Sequence, residues 1–230
     1  MRFPRKVLSF LRGRPLLQWV YEAACSSSFF DTVAFAVDAE ETAALVSSFG
    51  APFYMTGEHL ASGTDRIASL RGQVKADIWV NWQGDEPFIR EEMIRDLLQT
   101  PQDGSDVWTL KKRIYSPDEI GNPHVAKVVC DERGYTLYFS RSPIPYDRDN
   151  AKQKVYFKHV GIYAYTDAAL GRIARLSPTC LEEMEQLEQL RFLGHGLKVR
   201  VHETAYDVFG IDLPEHLARA EACVRWVEGR

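Results

Sequence analysis

At 230 residues and 45% apolar content the chain can bury a sizeable core without a disulfide or metal staple, and 26% charged residues are ordinary for a soluble protein. A net charge of −4 supplies no basic field for nucleic acid, and no apolar run approaches a membrane span. Cys25, Cys130, Cys180 and Cys223 are far apart and form no C-x-x-C pair, which argues against a disulfide framework or zinc site and for a reducing cytosol.

Before Glu22 the chain carries Arg2, Arg5, Lys6, Arg12 and Arg14 and no acid. A targeting peptide fits poorly, because Gln18 and Tyr21 interrupt the apolar run from Leu16 and no small-residue cleavage site follows. A phosphate-binding basic loop is the better account. Leu16, Leu17, Trp19, Val20 and Ala23 then fall on helical spacing after Pro15, a residue suited to a first helical turn. The run Thr32–Val37 reads as a strand buried on both faces, and Ala39–Phe49 as a helix stopped by Gly50. A strand at Pro52–Met55, a helix at Asp65–Leu70 and the apolar strand Ile78–Trp82 follow. This alternation predicts an α/β fold with a mostly parallel sheet flanked by helices.

From about Val107 the rhythm changes. Val107–Leu110, Val125–Val129 and Thr136–Phe139 are strand-like, Gly134 marks a turn, and Val155–Tyr165 is a long extended segment. Helices near Asp167–Arg175 and Leu181–Leu193 lead to the strand Lys198–His202 and a final helix after Asp212. No linker of Pro, Gly and Ser separates these parts. The expectation is one domain over residues 1–230, with an antiparallel extension at approximately 107–165 inside it.

In open α/β sheets ligands bind beyond the carboxyl ends of the strands. Asp85 stands there, in Gln83-Gly84-Asp85-Glu86-Pro87, just past the apolar strand. A carboxylate in that place suits a hard divalent cation with a nucleotide, and it equally suits a turn or a cap for the helix starting near Glu91. Asp212, in Gly210-Ile211-Asp212-Leu213-Pro214-Glu215, is a good N-cap with Pro214 in the first turn, and its second oxygen leaves a metal role open. Ser62-Gly63-Thr64-Asp65-Arg66 begins a helix with free backbone N–H groups for a phosphate or base, or is simply a well-capped helix. Arg141 follows a strand and offers a fork for a carboxylate or phosphate. His159 precedes Val160–Tyr165, and Glu188 and Gln189 lie on an amphipathic helix; alone, each also reads as a polar residue beside a core. No G-x-G-x-x-G follows a strand, which sets aside a dinucleotide-dependent oxidoreductase.

Taken in order, Ser62–Arg66, Gln83–Pro87, Tyr138–Arg141 with Pro143-Ile144-Pro145, His159–Tyr163, Leu187–Arg191 and Gly210–Glu215 resemble the 3-deoxy-manno-octulosonate (Kdo) cytidylyltransferases. The resemblance implies the nucleotide-diphospho-sugar transferase fold, and transfer of CMP from CTP to Kdo for lipopolysaccharide synthesis in the cytoplasm. It implies Mg²⁺ bound by Asp85 and Asp212, and a homodimer held by the irregular middle section. It implies nucleotide binding by Arg2, Lys6, Ser62, Gly63, Thr64, Arg66 and Gln83, with Lys6 acting beside Asp85 and Asp212 in catalysis. Arg141, His159, Tyr163, Glu188 and Gln189 would line the acidic-sugar pocket.

Departures remain. The family opens with a buried strand and a Pro-Ala-Arg-x-x-Ser-x-Arg-x-Pro-Gly-Lys-Pro-Leu loop, whereas this chain starts inside that motif with Arg2 and Lys6 matching its later cations. Arg5 and Val7 replace a Gly and a Pro, Val37 stands where Thr is usual, and His216 replaces an acid. The expectation is a start further upstream; the alternatives are a weakly active or non-catalytic paralogue, or an enzyme for another acidic sugar such as a sialic acid.

Overall fold

The computed structural model describes residues 6–149, 155–207, 210–211 and 220–221. In chain order these form β1 (Phe10–Leu11), β2 (Arg14–Pro15), α1 (Leu16–Cys25), β3 (Phe35–Val37), α2 (Glu40–Ser48), β4 (Phe53–Met55) and α3 (Gly63–Ala68). Next come β5 (Ile78–Asn81), α4 (Glu91–Leu97), β6 (Val107–Ile114), α5 (Pro117–Gly121), β7 (Lys127–Cys130), β8 (Thr136–Ser140) and β9 (Tyr156–Thr166). The order closes with α6 (Asp167–Ile173), α7 (Cys180–Glu185), α8 (Gln189–Gly194) and β10 (Val199–Glu203). The last predicted helix, after Asp212, falls largely outside the described residues.

The chain divides into two compact units. One comprises residues 1–66, 82–94 and 208–230, the other 67–81 and 95–207. In the first unit, β3 and β4 pair in parallel, Phe35 opposite Phe53 and Val37 opposite Met55. Leu17 of α1 packs with Val46 and Ala51, and Tyr21, Phe35 and Phe49 close around them. A second cluster joins Leu11, Leu16, Ile211 and Ala220, with Trp19 and Phe88 against it. The tight β1–β2 hairpin, absent from the sequence reading, turns through Arg12 and Gly13 at positive φ and sets Pro15 as the N-cap of α1.

The second unit is built on a six-stranded mixed sheet. β10 lies parallel to β6, while β9 runs antiparallel to β5, β6 and β7. The sheet is thus more mixed than strand–helix alternation implied: the sequence pattern of β9 marks an extended segment but leaves its direction open. β6 and β9, both drawn from the stretch expected to form an extension, are neighbours inside this sheet. Their sequences explain it: Val107–Leu110 is buried at four successive positions, as a strand covered on both faces must be. Gly134 turns β7 into β8 at φ +85, a backbone region that favours glycine.

The predicted helix Leu181–Leu193 is two helices. Gln186 takes a left-handed conformation, φ 52 and ψ 48, and ends α7 before α8 begins. Leu187 and Leu190 are both buried, a spacing that sequence alone reads as one continuous face. Arg191 secures the break: it forks onto the Glu182 carboxylate, with Nη2 2.6 Å from Oε1. Glu182 also completes the capping box of α7 with Thr179.

Candidate active site

The acidic loop belongs to the first unit. Glu86 N–H closes a turn on the Gln83 carbonyl at 3.1 Å, and the Trp82 indole donates to the Glu86 carbonyl at 2.9 Å. These bonds fix the backbone on both sides of Asp85. Gly84 sits close to α1: a Cβ there would lie 2.7 Å from Cδ2 of Leu17, a side-chain tip that would have to shift. Ile211 N–H donates to the Asp85 carbonyl oxygen at 3.0 Å, so the segment leading to Asp212 is stitched to this loop. Asp212 itself lies outside the described residues. Among the described residues Asp85 alone of the expected pair is in view, and its carboxylate is a hard-oxygen donor of the kind Mg²⁺ takes.

Ser62 caps α3, its hydroxyl accepting the Asp65 N–H at 3.1 Å. Thr64 is buried. Arg66 pairs with Asp38 at 2.7 Å and donates to the Thr56 hydroxyl at 2.7 Å. Asp38 and Thr56 each follow the C-terminal end of a strand, β3 and β4, so Arg66 organises the rim where a nucleotide is expected. Arg2 lies outside the described residues, and Lys6 is described only as the first residue of a 3₁₀ turn, Lys6–Leu8.

The residues expected to bind the sugar lie in the second unit. Arg141 spends its fork on backbone: Nε donates to the Glu185 carbonyl at 2.6 Å, Nη1 to Pro123 at 2.9 Å and Nη2 to Gln186 at 3.1 Å. Three of five N–H groups are used, leaving two for a ligand among the described contacts. Arg141 N–H and the Ser140 hydroxyl both donate to the Glu185 carboxylate, at 2.9 and 2.6 Å. Beneath them the fully buried Lys127 donates to the carbonyls of Asn122, Val125 and Arg141, at 3.0, 2.7 and 2.5 Å. Its desolvation draws the ammonium below the ordinary lysine range.

Glu188 is the N-cap residue of α8 and Gln189, buried, its first residue. Both positions follow from the Gln186 break. His159 packs edge-on against Phe139 and tilts over Tyr163, with ring centroids 5.0 and 5.3 Å away. Its Nε2 lies 2.9 Å from the Thr109 hydroxyl oxygen. Burial pushes its pKa down to about 3, so the ring is neutral under ordinary conditions.

The structure thus brings Gln83, Asp85, Ser62, Gly63, Thr64 and Arg66 into one unit and Arg141, His159, Tyr163, Glu188 and Gln189 into the other. A cavity of about 370 Å³ lined by Arg71, Val74, Lys75, Ala76, Asp77 and Asp167 contains none of them. Sequence reasoning missed Thr109, Lys127 and Glu185. Lys127 left a signal, a lone cation inside the apolar stretch Val125–Val129. Thr109 and Glu185 left none, because their partners are 51 and 44 residues away in sequence.

The cytidylyltransferase family model matches residues 1–199. A 3-deoxy-manno-octulosonate cytidylyltransferase of Thermodesulfovibrio yellowstonii is 44% identical over 97% of this chain and 93% of its own length. One from Acidobacterium capsulatum is 46% identical over 96% of this chain and 90% of its own. A CMP:2-keto-3-deoxy-manno-octonic acid synthetase solved with CTP superposes with a TM-score of 0.92 at 40% identity, covering 98% of this chain and 93% of that one. The chain belongs to the 3-deoxy-manno-octulosonate cytidylyltransferase family.

Proposed function

We propose that this protein transfers CMP from CTP to 3-deoxy-D-manno-octulosonate, releasing pyrophosphate and giving CMP-Kdo for lipopolysaccharide synthesis. The observation that carries the reading is near full-length identity of 44% to a relative of that name, joined to a 0.92 TM-score against a CTP-bound synthetase.

The sugar's anomeric hydroxyl oxygen attacks the α-phosphorus in line. A new P–O bond forms, the bond to the bridging oxygen of pyrophosphate breaks with its electron pair, and the hydroxyl proton leaves to solvent. Negative charge grows on the transferring and leaving oxygens, so fixed cations and dipoles carry most of the catalysis. Asp85 and Asp212 would hold Mg²⁺, which when bound neutralises phosphate charge and orients the triphosphate. Arg2 and Lys6 would grip phosphate oxygens, Lys6 assisting the transfer, while Ser62–Arg66 and Gln83 shape the nucleotide side. Arg141 offers its remaining N–H groups to the sugar carboxylate, and His159, Tyr163, Glu188 and Gln189 surround the hydroxyls.

The protein acts as a homodimer in the cytoplasm. Exposed Tyr115, Leu137 and Tyr146 on the middle section support an interface there, and the unpaired thiols of Cys25, Cys130 and Cys180 suit a reducing compartment. Among the described residues no helix is long and apolar enough to cross a membrane.

Pyrophosphate release from CTP and Mg²⁺ is measured with Kdo and, in parallel, with a sialic acid. Turnover with Kdo alone supports the reading. Turnover with sialic acid alone reassigns the substrate, and CTP binding without turnover of either sugar refutes the enzyme assignment. Sedimentation equilibrium reads the dimer separately.

A further inference from the structure

Thr109 occupies an irregularity in the sheet. Along β6 and β9, Thr109 faces Tyr163 but Leu110 faces Val160, so Gly161 and Ile162 are extra residues on β9 at that step. Such a bulge breaks the ladder and re-aims the groups beside it. Here it brings two β9 carbonyls onto one buried hydroxyl: Thr109 Oγ1 lies 2.8 Å from the Ile162 oxygen and 3.2 Å from that of Val160. The same Oγ1 is 2.9 Å from Nε2 of His159, and Thr109 is wholly buried.

A hydroxyl has one hydrogen to donate, and a carbonyl oxygen has none. Two oxygens 2.8 Å apart need a hydrogen between them, so the Thr109 hydrogen goes to the Ile162 carbonyl. Its oxygen can then only accept from His159, and Nε2 must carry the imidazole proton. A neutral imidazole protonated at Nε2 has a bare lone pair on Nδ1. That nitrogen has no bond to any described residue. Burial disfavours a second proton on the ring, which keeps the lone pair available.

We propose that Thr109, set in the β6–β9 bulge, is a positioning residue that locks His159 as the Nε2–H tautomer, so that Nδ1 accepts a hydroxyl proton of the acidic sugar. The inference rests on the assignment of His159 to the sugar side of the site. It gives that residue one chemistry: His159 selects a hydroxyl donor and repels the carboxylate, whose negative charge would face a lone pair. Recognition of the carboxylate then falls to Arg141, whose fork is cationic.

The test combines a spectroscopic and a kinetic measurement on the intact protein. The chain has six histidines, so the ¹⁵N imidazole signals of His159 are assigned by their disappearance in H159Q. The expected wild-type pattern is a single neutral tautomer with the proton on Nε2. In T109V the tautomers mix and KM for the sugar rises about tenfold, the loss of one neutral hydrogen bond. KM for CTP stays within about twofold of wild type in that variant. T109S keeps the hydroxyl and restores both readouts. A wild-type spectrum with the proton on Nδ1, or on both nitrogens, overturns the proposal, as does wild-type sugar KM in a folded T109V. If T109V does not fold, the wild-type spectrum decides alone. Absence of turnover with Kdo would count against the functional reading instead, since the tautomer is read without substrate.

Discussion

Ile211 donates its backbone N–H to the carbonyl oxygen of Asp85 at 3.0 Å, across 126 residues of chain. Both residues belong to the first unit, and Ile211 is buried against Leu11, Leu16 and Ala220. The apolar anchor of one acidic segment is thus the hydrogen-bond partner of the other. Asp85→Ala removes the carboxylate without touching this backbone bond. Circular dichroism and melting temperature should stay near wild type while pyrophosphate release falls by roughly a hundredfold or more, the scale of losing a metal-centred stabilisation of the transferring phosphate. Normal turnover by the folded variant would remove Asp85 from the metal site.

Arg66 distinguishes a fork from a point charge. Its guanidinium reaches Asp38 and the Thr56 hydroxyl together, a geometry lysine cannot reproduce. Arg66→Lys should raise KM for CTP by about tenfold, with a smaller effect on KM for the sugar. Steady-state kinetics with each substrate varied in turn checks this, and equal effects on the two would show a general loosening of the fold.

The Arg191–Glu182 pair, with side chains only 11% and 13% exposed, holds the helix break that places Glu188 and Gln189. Arg191→Met leaves the Glu182 charge largely desolvated and should cost about 3–5 kcal/mol in urea unfolding. Adding Glu182→Leu should recover much of that loss, because an apolar pair avoids the stranded charge. If the single variant is as stable as wild type, the pair is not what secures the break.

His159 predicts an acid-side stability loss. Its folded pKa is pushed down to about 3 against 6.5 when unfolded, so between those values the unfolded chain binds more protons. The contribution is complete above pH 6.5 and is lost progressively as pH falls towards 3. Each pH unit of the gap is worth up to about 1.4 kcal/mol, reduced by the ring's residual exposure to solvent. Carboxylates such as Asp103 and Asp167, held low by hydrogen bonds and neighbouring arginines, add acid sensitivity of their own. Chemical unfolding from pH 7 to 5 should therefore show a shallower slope in His159→Gln than in wild type, and identical slopes would contradict a buried neutral ring.

Local pattern and motif order were enough to identify Asp85, Ser62, Arg66, Arg141 and His159 as positions of interest, because strand ends, caps and turns are written in neighbouring residues. They also gave the family and the α/β class, since short apolar runs such as Ile78–Val80 alternate with helical stretches. Strand direction, the Gln186 break and the partners of each polar side chain were decided only in three dimensions. A carbonyl has no side-chain signature, so nothing in the sequence could show that Arg141 spends three N–H groups on backbone or that Lys127 caps three carbonyls. The same holds for Thr109: only the bulge between β6 and β9 makes an ordinary strand residue the group that sets the proton of His159.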